Sequence, residues 1–331
     1  MYKLSWIFLS LLVFINCSSV QVKNRVTFDK MLTTYKYPFA VKFFKFKSQK
    51  KKLRMAYMDL NQESKKVIVL LHGKNFSGFY WERIAKDLVS NGYRVIIPDQ
   101  IGFGKSSKPD YYQYSFYNLS YNTKLLLNEL NVDKYILVGH SMGGMLASHF
   151  TYLYPQSVKQ LVLINPIGLE PYLKYVEFKD PNFFYQLELK KTPKAFKNYQ
   201  KKNYYDGQWR ADYDSLLVPI SGQMRGDDWE EVAWNNALTY GPIFNEDITS
   251  KLSDIKNEVL LIIGTRDKTG PGRFWKKDGV KRKLGNYQFL GKEINRKLQN
   301  SKLIELEGLG HMPQFEDYER FKQVFYKNLR K

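Results

Sequence analysis

The stretch Tyr135-Ile-Leu-Val-Gly139-His140-Ser141-Met142-Gly143-Gly144 most narrows what this chain can become: an apolar run enters a GHSMG pentapeptide and leaves it as a helix-forming sequence. A strand that turns at once into a helix holds the residue at its tip in a strained backbone conformation. Gly139 and Gly143 remove the Cβ atoms that would collide around that tip. The turn raises the Ser141 hydroxyl above the sheet, at the start of a helix, where negative charge is favoured. A serine so placed needs a base and an orienting acid, and a chain of this architecture supplies them later, each just after a strand.

The base follows by elimination, because the chain has only four histidines, His72, His140, His149 and His311. His140 sits beside the nucleophile and should point away from its hydroxyl. His149 lies about 12 Å farther along the helix axis, out of reach. His72 ends the apolar strand Val67-Ile-Val-Leu-Leu71, where it suits the ordering of a loop. His311 follows the strand Leu303-Ile-Glu-Leu306 and a glycine-rich turn, on a flexible loop from which an imidazole can swing over a nucleophile; it is the expected base. The acid is expected after the strand Val259-Leu-Leu-Ile-Ile263, where Gly264-Thr-Arg-Asp267 places a carboxylate that can hold the imidazole in one tautomer. Asp254 precedes that strand. Glu170, five residues beyond Val162-Leu-Ile-Asn165, is the alternative acid.

With these residues in hand the chain resembles the α/β-hydrolase family, in particular its single-domain members with an inserted cap. The marks of the resemblance are Leu71-His-Gly-Lys74, Pro98-Asp-Gln-Ile-Gly-Phe-Gly-Lys-Ser106, GHSMGG at 139–144, Gly264-Thr-Arg-Asp267 and Gly310-His311, and they cover roughly residues 40–330. The resemblance implies an α/β-hydrolase fold, with a mostly parallel eight-stranded sheet flanked by helices and a helical cap. It also implies an oxyanion hole made by the backbone N–H groups of Lys74 and Met142. Lys74 is a cation where many such proteins have a small or apolar residue. Asp99 belongs to a motif that is structural in the resembling proteins. A serine at the elbow, instead of an aspartate, argues against dehalogenase and epoxide-hydrolase chemistry, and makes acyl transfer to water the expected reaction.

Strands are expected near 41–48, 52–58, 66–71, 93–98, 134–139, 160–165, 258–264 and 302–307, with helices between most of them. The core is then 37–167 and 251–331. Residues 168–250 break the strand and helix alternation and are dense in aromatics, Phe183, Phe184, Tyr204, Tyr205 and Trp209 among them; they are expected to form a helical cap over an apolar acyl pocket, with at least half of the rings packing the cap itself. A second insertion, 270–285, carries Arg273, Lys276, Lys277, Lys281, Arg282 and Lys283 between the expected acid and base.

The amino terminus points to a compartment. Met1-Tyr2-Lys3 is followed by the apolar run Leu4 to Ile15, too short to span a bilayer comfortably and of a length that suits a signal-peptide core. Cys17, the only cysteine, follows closely, and the segment resembles a bacterial lipoprotein signal in which that cysteine is lipidated. Phe14 and Asn16 depart from the usual residues before such a cysteine. Residues 1–17 are thus read as a signal peptide and 18–36 as a tether. A single cysteine excludes a disulfide framework, and four scattered histidines suggest no metal site; no cofactor is expected. The formal charge of +20 comes from lysines spread over the whole chain, so no nucleic-acid partner is expected.

The expected protein is therefore a serine hydrolase held at the cell envelope through lipidated Cys17, acting on a small-molecule carboxylic ester or related acyl compound. A carbon–carbon or amide hydrolase of the same fold and a noncatalytic envelope binding lipoprotein are the alternatives. A simple secreted protein is the alternative location.

Overall fold

The computed structural model describes residues 26–330. The signal segment 1–17, Cys17 included, lies outside the described residues.

Eight strands form one sheet: β1 (Lys42–Ser48), β2 (Lys51–Leu60), β3 (Val67–Leu71), β4 (Arg94–Pro98), β5 (Tyr135–His140), β6 (Val158–Ile164), β7 (Glu258–Gly264) and β8 (Ser301–Leu306). Their order is β1-β2-β4-β3-β5-β6-β7-β8, with β2 antiparallel to both neighbours and the pairs from β4 onward parallel. Each strand lies within two residues of its expected span. The central strands β3 and β5 are buried along their whole length, which is why they read as unbroken apolar runs. The edge strand β1 is half exposed and carries Lys42, Lys45 and Lys47, charges that discourage pairing with another chain.

Helices α1 (Glu82–Ser90), α2 (Phe116–Glu129) and α3 (Met142–Leu153) connect the first half of the sheet. Between β6 and β7 come six more, α4 (Tyr172–Tyr175), α5 (Pro181–Leu189), α6 (Pro193–Asn203), α7 (Asp214–Gln223), α8 (Trp229–Leu238) and α9 (Tyr240–Asn245). Helix α10 (Tyr287–Lys297) follows the second insertion, and α11 (Pro313–Glu316) and α12 (Tyr318–Lys327) end the chain. Asp180 and Thr192 start α5 and α6 by accepting hydrogen bonds from Phe183 N–H and Ala195 N–H, each with a proline in the first turn where a missing N–H costs nothing.

The aromatics of the helical insertion are largely taken up by its own packing. Phe184 stacks on Tyr240 at 4.3 Å between ring centres and on Phe244 at 5.6 Å, and Tyr205 stacks on Tyr213 at 3.9 Å.

Residues 26–36 differ from the expected tether. Phe28 and Leu32 are buried, Phe28 N–H donates to the Gly222 carbonyl at 3.1 Å, and Lys30 pairs with Glu231 on α8. Lys105 from the core donates to the carbonyls of Leu32 and Thr33. The segment is a strap across the insertion and the core, because Phe28 and Leu32 find burial sites that the sequence alone did not reveal. Just beyond it, Tyr37 Oη donates to Asp99 at 2.7 Å, and the same carboxylate accepts from Gly78 N–H and Lys105 N–H, giving Asp99 a structural place away from the elbow.

Candidate active site

Ser141 stands between β5 and α3 with φ +56° and ψ −121°, a conformation that a non-glycine residue holds only when its surroundings impose it. The surroundings are backbone. A Cβ on Gly139 would lie 2.2 Å from the Gly143 carbonyl oxygen, and one on Gly143 would lie 2.2 Å from the Leu71 carbonyl oxygen. Strand, turn and helix can therefore approach this closely only with glycine at both positions.

The structure brings together the three residues expected from the sequence. Ser141 Oγ lies 3.0 Å from His311 Nε2, and His311 Nδ1 lies 2.7 Å from Asp267 Oδ2. Since the carboxylate accepts from Nδ1–H, Nε2 is left as the acceptor facing the serine hydroxyl. All three are buried. Burial pushes the Asp267 carboxyl up, but His311 and the Thr269 hydrogen bonds outweigh it and hold the carboxyl below its usual range.

Two groups outside the expected set fix that carboxylate. Asn165, at the end of β6 with φ +37°, donates from Nδ2 to Asp267 Oδ2 at 2.8 Å, and its Oδ1 accepts from Gly264 N–H at 2.9 Å. Thr269 N–H donates to Oδ1 at 2.7 Å. An asparagine closing an otherwise apolar strand next to the acid strand was the available signal for the first. The alternative acid Glu170 is elsewhere: it pairs with Arg282 at 2.8 Å and accepts from Gly285 N–H. Asp254 sits at the opposite, N-terminal end of β7.

The remaining histidines have structural partners. His149 Nε2 lies 3.2 Å from the Glu246 carbonyl, with its ring stacked on Phe116. His72 donates to the Gly73 carbonyl and accepts from Gln100 N–H at 3.0 Å. His140 does more than point away from the serine. Its Nε2–H donates to the His311 carbonyl at 2.9 Å, while Nδ1 accepts from Tyr80 Oη at 3.1 Å, and Tyr80 Oη accepts from Gly73 N–H. This run of hydrogen bonds ties the loop after β3 to the loop that carries His311. The latter loop is thus fastened and not the swinging arm expected from its glycines; Glu316 also accepts from Gly310 N–H at 2.7 Å, and Tyr204 lies 4.6 Å from the His311 ring centre.

The neutral state of these rings sets an acid limit on stability. Burial pushes His140 down to about 3 and His149 down to about 4, and lowers His72 as well. An unfolded imidazole titrates near 6.5, so below that pH the unfolded chain takes up protons that the folded protein refuses. Stability present above pH 6.5 is lost as the pH falls toward the folded values, roughly 4 kcal/mol for His140 and His149 together at pH 5. The urea midpoint should fall steadily from pH 6.5 to 5; a level midpoint would contradict the buried neutral rings.

Lys74 follows His72-Gly73 at the tip of its loop. Its side chain rises into the insertion, donating to the Asn236 carbonyl at 2.8 Å and Thr239 Oγ1 at 3.0 Å, with Nζ 3.8 Å from the Tyr240 ring centre. Burial pushes its ammonium down to about 7, against an upward pull from Glu188. Next to it, Asn75 Nδ2 donates to Tyr204 Oη at 3.2 Å. The insertion therefore meets the triad through the Tyr204 ring on His311, and the hydroxyl of that ring accepts from Asn75. Met142 occupies the first position of α3, where a helix leaves its N–H without an intrahelical partner. Among the described residues no group of three or more His, Cys, Asp or Glu is placed to hold a metal ion, and no helix is long and apolar enough to cross a membrane.

Comparison with known proteins supports the architecture. Residues 66–318 match the family model described as alpha/beta hydrolase fold. A crystal structure of a probable hydrolytic enzyme from Pseudomonas aeruginosa PAO1 is 40% identical, covers 93% of this chain and 99% of its own, and superposes with a TM-score of 0.90. A cis-3-alkyl-4-alkyloxetan-2-one decarboxylase of Shewanella oneidensis is 35% identical over 109 residues, 32% of this chain. Mouse epoxide hydrolase 4 is 27% identical over 147 residues, 43% of this chain. The matched stretches span 34% and 41% of the length of these two curated relatives. With three quarters of its length matching the family model and an elbow, a parallel sheet and a near full-length structural relative in agreement, this chain belongs to the alpha/beta hydrolase family.

Proposed function

We propose that the protein is a serine hydrolase that cleaves a carboxylic ester or a related acyl compound through an acyl-enzyme. The observation that carries this reading is the unbroken series Ser141 Oγ, His311 Nε2, His311 Nδ1 and Asp267 Oδ2, at 3.0 and 2.7 Å, on a strained elbow. In the proposed mechanism His311 takes the Ser141 proton as Oγ attacks the acyl carbon. Asp267, held by Asn165 and Thr269, keeps the proton of the imidazole on Nδ1 and stabilises the imidazolium. The tetrahedral oxyanion is received by the N–H groups of Met142 and Lys74, each worth about 3 kcal/mol in such a role. Support for Lys74 comes from its neighbour: Gly73 N–H is occupied by Tyr80, which leaves the next amide at the tip of the loop. The leaving alcohol takes its proton from His311, and a water activated by the same ring releases the acid.

The serine favours this over a carboxylate-nucleophile reaction such as that in the name of the mouse relative. The oxetan-2-one in the name of the Shewanella relative is a four-membered cyclic ester, which also suits an acyl substrate. The helices between β6 and β7 are proposed as a cap over the site, and residues 1–17 as a lipoprotein signal segment cut just before Cys17, which stays as the lipidated envelope anchor.

The test is hydrolysis of p-nitrophenyl esters from acetate to palmitate. Hydrolysis of at least one member is expected, with the profile over acyl length sizing the pocket; no hydrolysis of any member would remove the ester reading. The same assay on cell fractions reads the anchor, with activity expected in the membrane fraction and released into the soluble fraction by Cys17→Ser.

A further inference from the structure

The second insertion, residues 270–285, has no part in the mechanism above. It runs beside the start of the helical insertion as a short antiparallel pair: Val176 bridges Lys276, Glu177 N–H donates to the Trp275 carbonyl at 3.1 Å and Lys277 N–H to the Tyr175 carbonyl at 2.9 Å. That register sets Phe178 opposite Phe274. Both rings are open to solvent, Phe178 60% and Phe274 77% exposed, and Phe289, in the first turn of α10, is 62% exposed. Leaving phenylalanines in water while sixteen per cent of the chain is aromatic and mostly packed is unfavourable, and exposed aromatics gathered near one feature mark an interaction surface.

The charge beside them is mostly positive. Phe274 stands at the lip of a groove of about 480 Å³ whose lining includes Arg266, Lys268, Arg273, Lys276 and Lys283. Asp267 also lines it, but that carboxylate is engaged with His311, and of the five cations only Arg266 has a carboxylate partner, Glu316, among the described residues. Arg273 and Lys276 are held by neutral groups, Asn203 Oδ1 and the Val280 carbonyl, which fix their positions without cancelling their charge. Acids on the same two segments are Glu177, which pairs with Lys179, Asp180, which caps α5, and Asp278.

We infer that this face, the 270–285 insertion with residues 174–180, is a docking surface for a bilayer containing anionic phospholipid. The cationic groove takes headgroup phosphates and the phenylalanines enter the interfacial layer. A soluble polyanion would satisfy the charges but not the rings, whereas an anionic membrane surface satisfies both. The contact is separate from the amino-terminal apolar run and does not depend on the Ser141 reading. It adds a second attachment to whatever that run supplies.

The experiment is hydrogen exchange on the full chain with phosphatidylglycerol vesicles and, in parallel, phosphatidylcholine vesicles. The apolar amino terminus meets both lipids alike, and reading the exchange segment by segment separates this surface from the lysines elsewhere on the chain. Exchange across 174–180 and 270–285 is expected to slow at least about five-fold on phosphatidylglycerol relative to phosphatidylcholine, the factor that one lysine near an anionic surface supplies. Two double variants, Phe178→Ser with Phe274→Ser and Lys276→Glu with Lys283→Glu, should each lose that slowing while the amides of β3, β5 and β6 keep wild-type exchange, which reports an intact fold. Equal exchange on the two lipids would overturn the inference, as would slowing that survives both double variants. Slowing produced to the same extent by inorganic phosphate or by RNA without vesicles would overturn it in favour of a soluble anion site.

Discussion

Replacement of Ser141 by alanine is expected to lower hydrolysis of p-nitrophenyl acetate by on the order of 10⁴-fold or more and to abolish labelling by a serine-directed phosphonate. The size follows from the geometry. Ser141 Oγ is the oxygen within hydrogen-bond reach of His311 Nε2, and without it the base, the acid and the oxyanion amides have no covalent step to assist. The fold should survive, because the backbone of the elbow is imposed by the close contacts at Gly139 and Gly143 and the substitution leaves its Cβ unchanged. A folded Ser141→Ala protein that keeps wild-type activity and still takes the label would remove Ser141 from the mechanism. Both measurements are needed, since label could be taken up by another hydroxyl.

Asp267→Asn is expected to cost about 10⁴-fold in kcat with little change in KM. The local hydrogen bonds say why an isosteric change is so damaging here. Thr269 N–H occupies Oδ1, so the amide oxygen of the replacement must remain on that side. Its NH₂ then faces both Asn165 Nδ2 and His311 Nδ1, where Oδ2 now accepts from each. The imidazole responds by placing its proton on Nε2, and a protonated Nε2 cannot accept the Ser141 proton. Removing Asn165 as well, by Asn165→Ala in the same protein, should not recover the loss, because Thr269 N–H still holds the amide oxygen on the side away from the imidazole. If Asp267→Asn retained most of the activity at neutral pH, the carboxylate would have no orienting role and the acid would have to be sought elsewhere.

The strands and the elbow were legible because they obey strong local rules: unbroken apolar runs for buried parallel strands, and paired glycines where backbone meets backbone. The positions of Asp267 and His311 were legible for a related reason, since each had to follow a strand and few histidines were available. What the sequence concealed were partnerships between distant residues. Asn165 looks like a strand terminator until β6 and β7 are laid side by side, when its amide meets Asp267. His140 looks like an incidental neighbour of the nucleophile, and only the fold shows it linking Tyr80 to the His311 carbonyl. The packing of the insertion's rings on one another agrees with the expectation that at least half of them serve its own core, whereas the contact of Tyr204 with His311, its hydroxyl engaged by Asn75, had no signal in the sequence. The tether was misjudged because Phe28 and Leu32 are too few to form a periodic pattern, although each has a burial site in the finished protein.

That strap has a consequence for how the protein is made. Residues 26–36 dock on Gly222, Gln223 and Glu231, which are synthesised roughly two hundred residues after them, a delay of about 10–40 s at ordinary elongation rates. Throughout that interval Phe28 lacks the helix it packs against. The strap is thus written before its docking sites and filed after them, and shortening the chain into it acts on helices encoded far downstream.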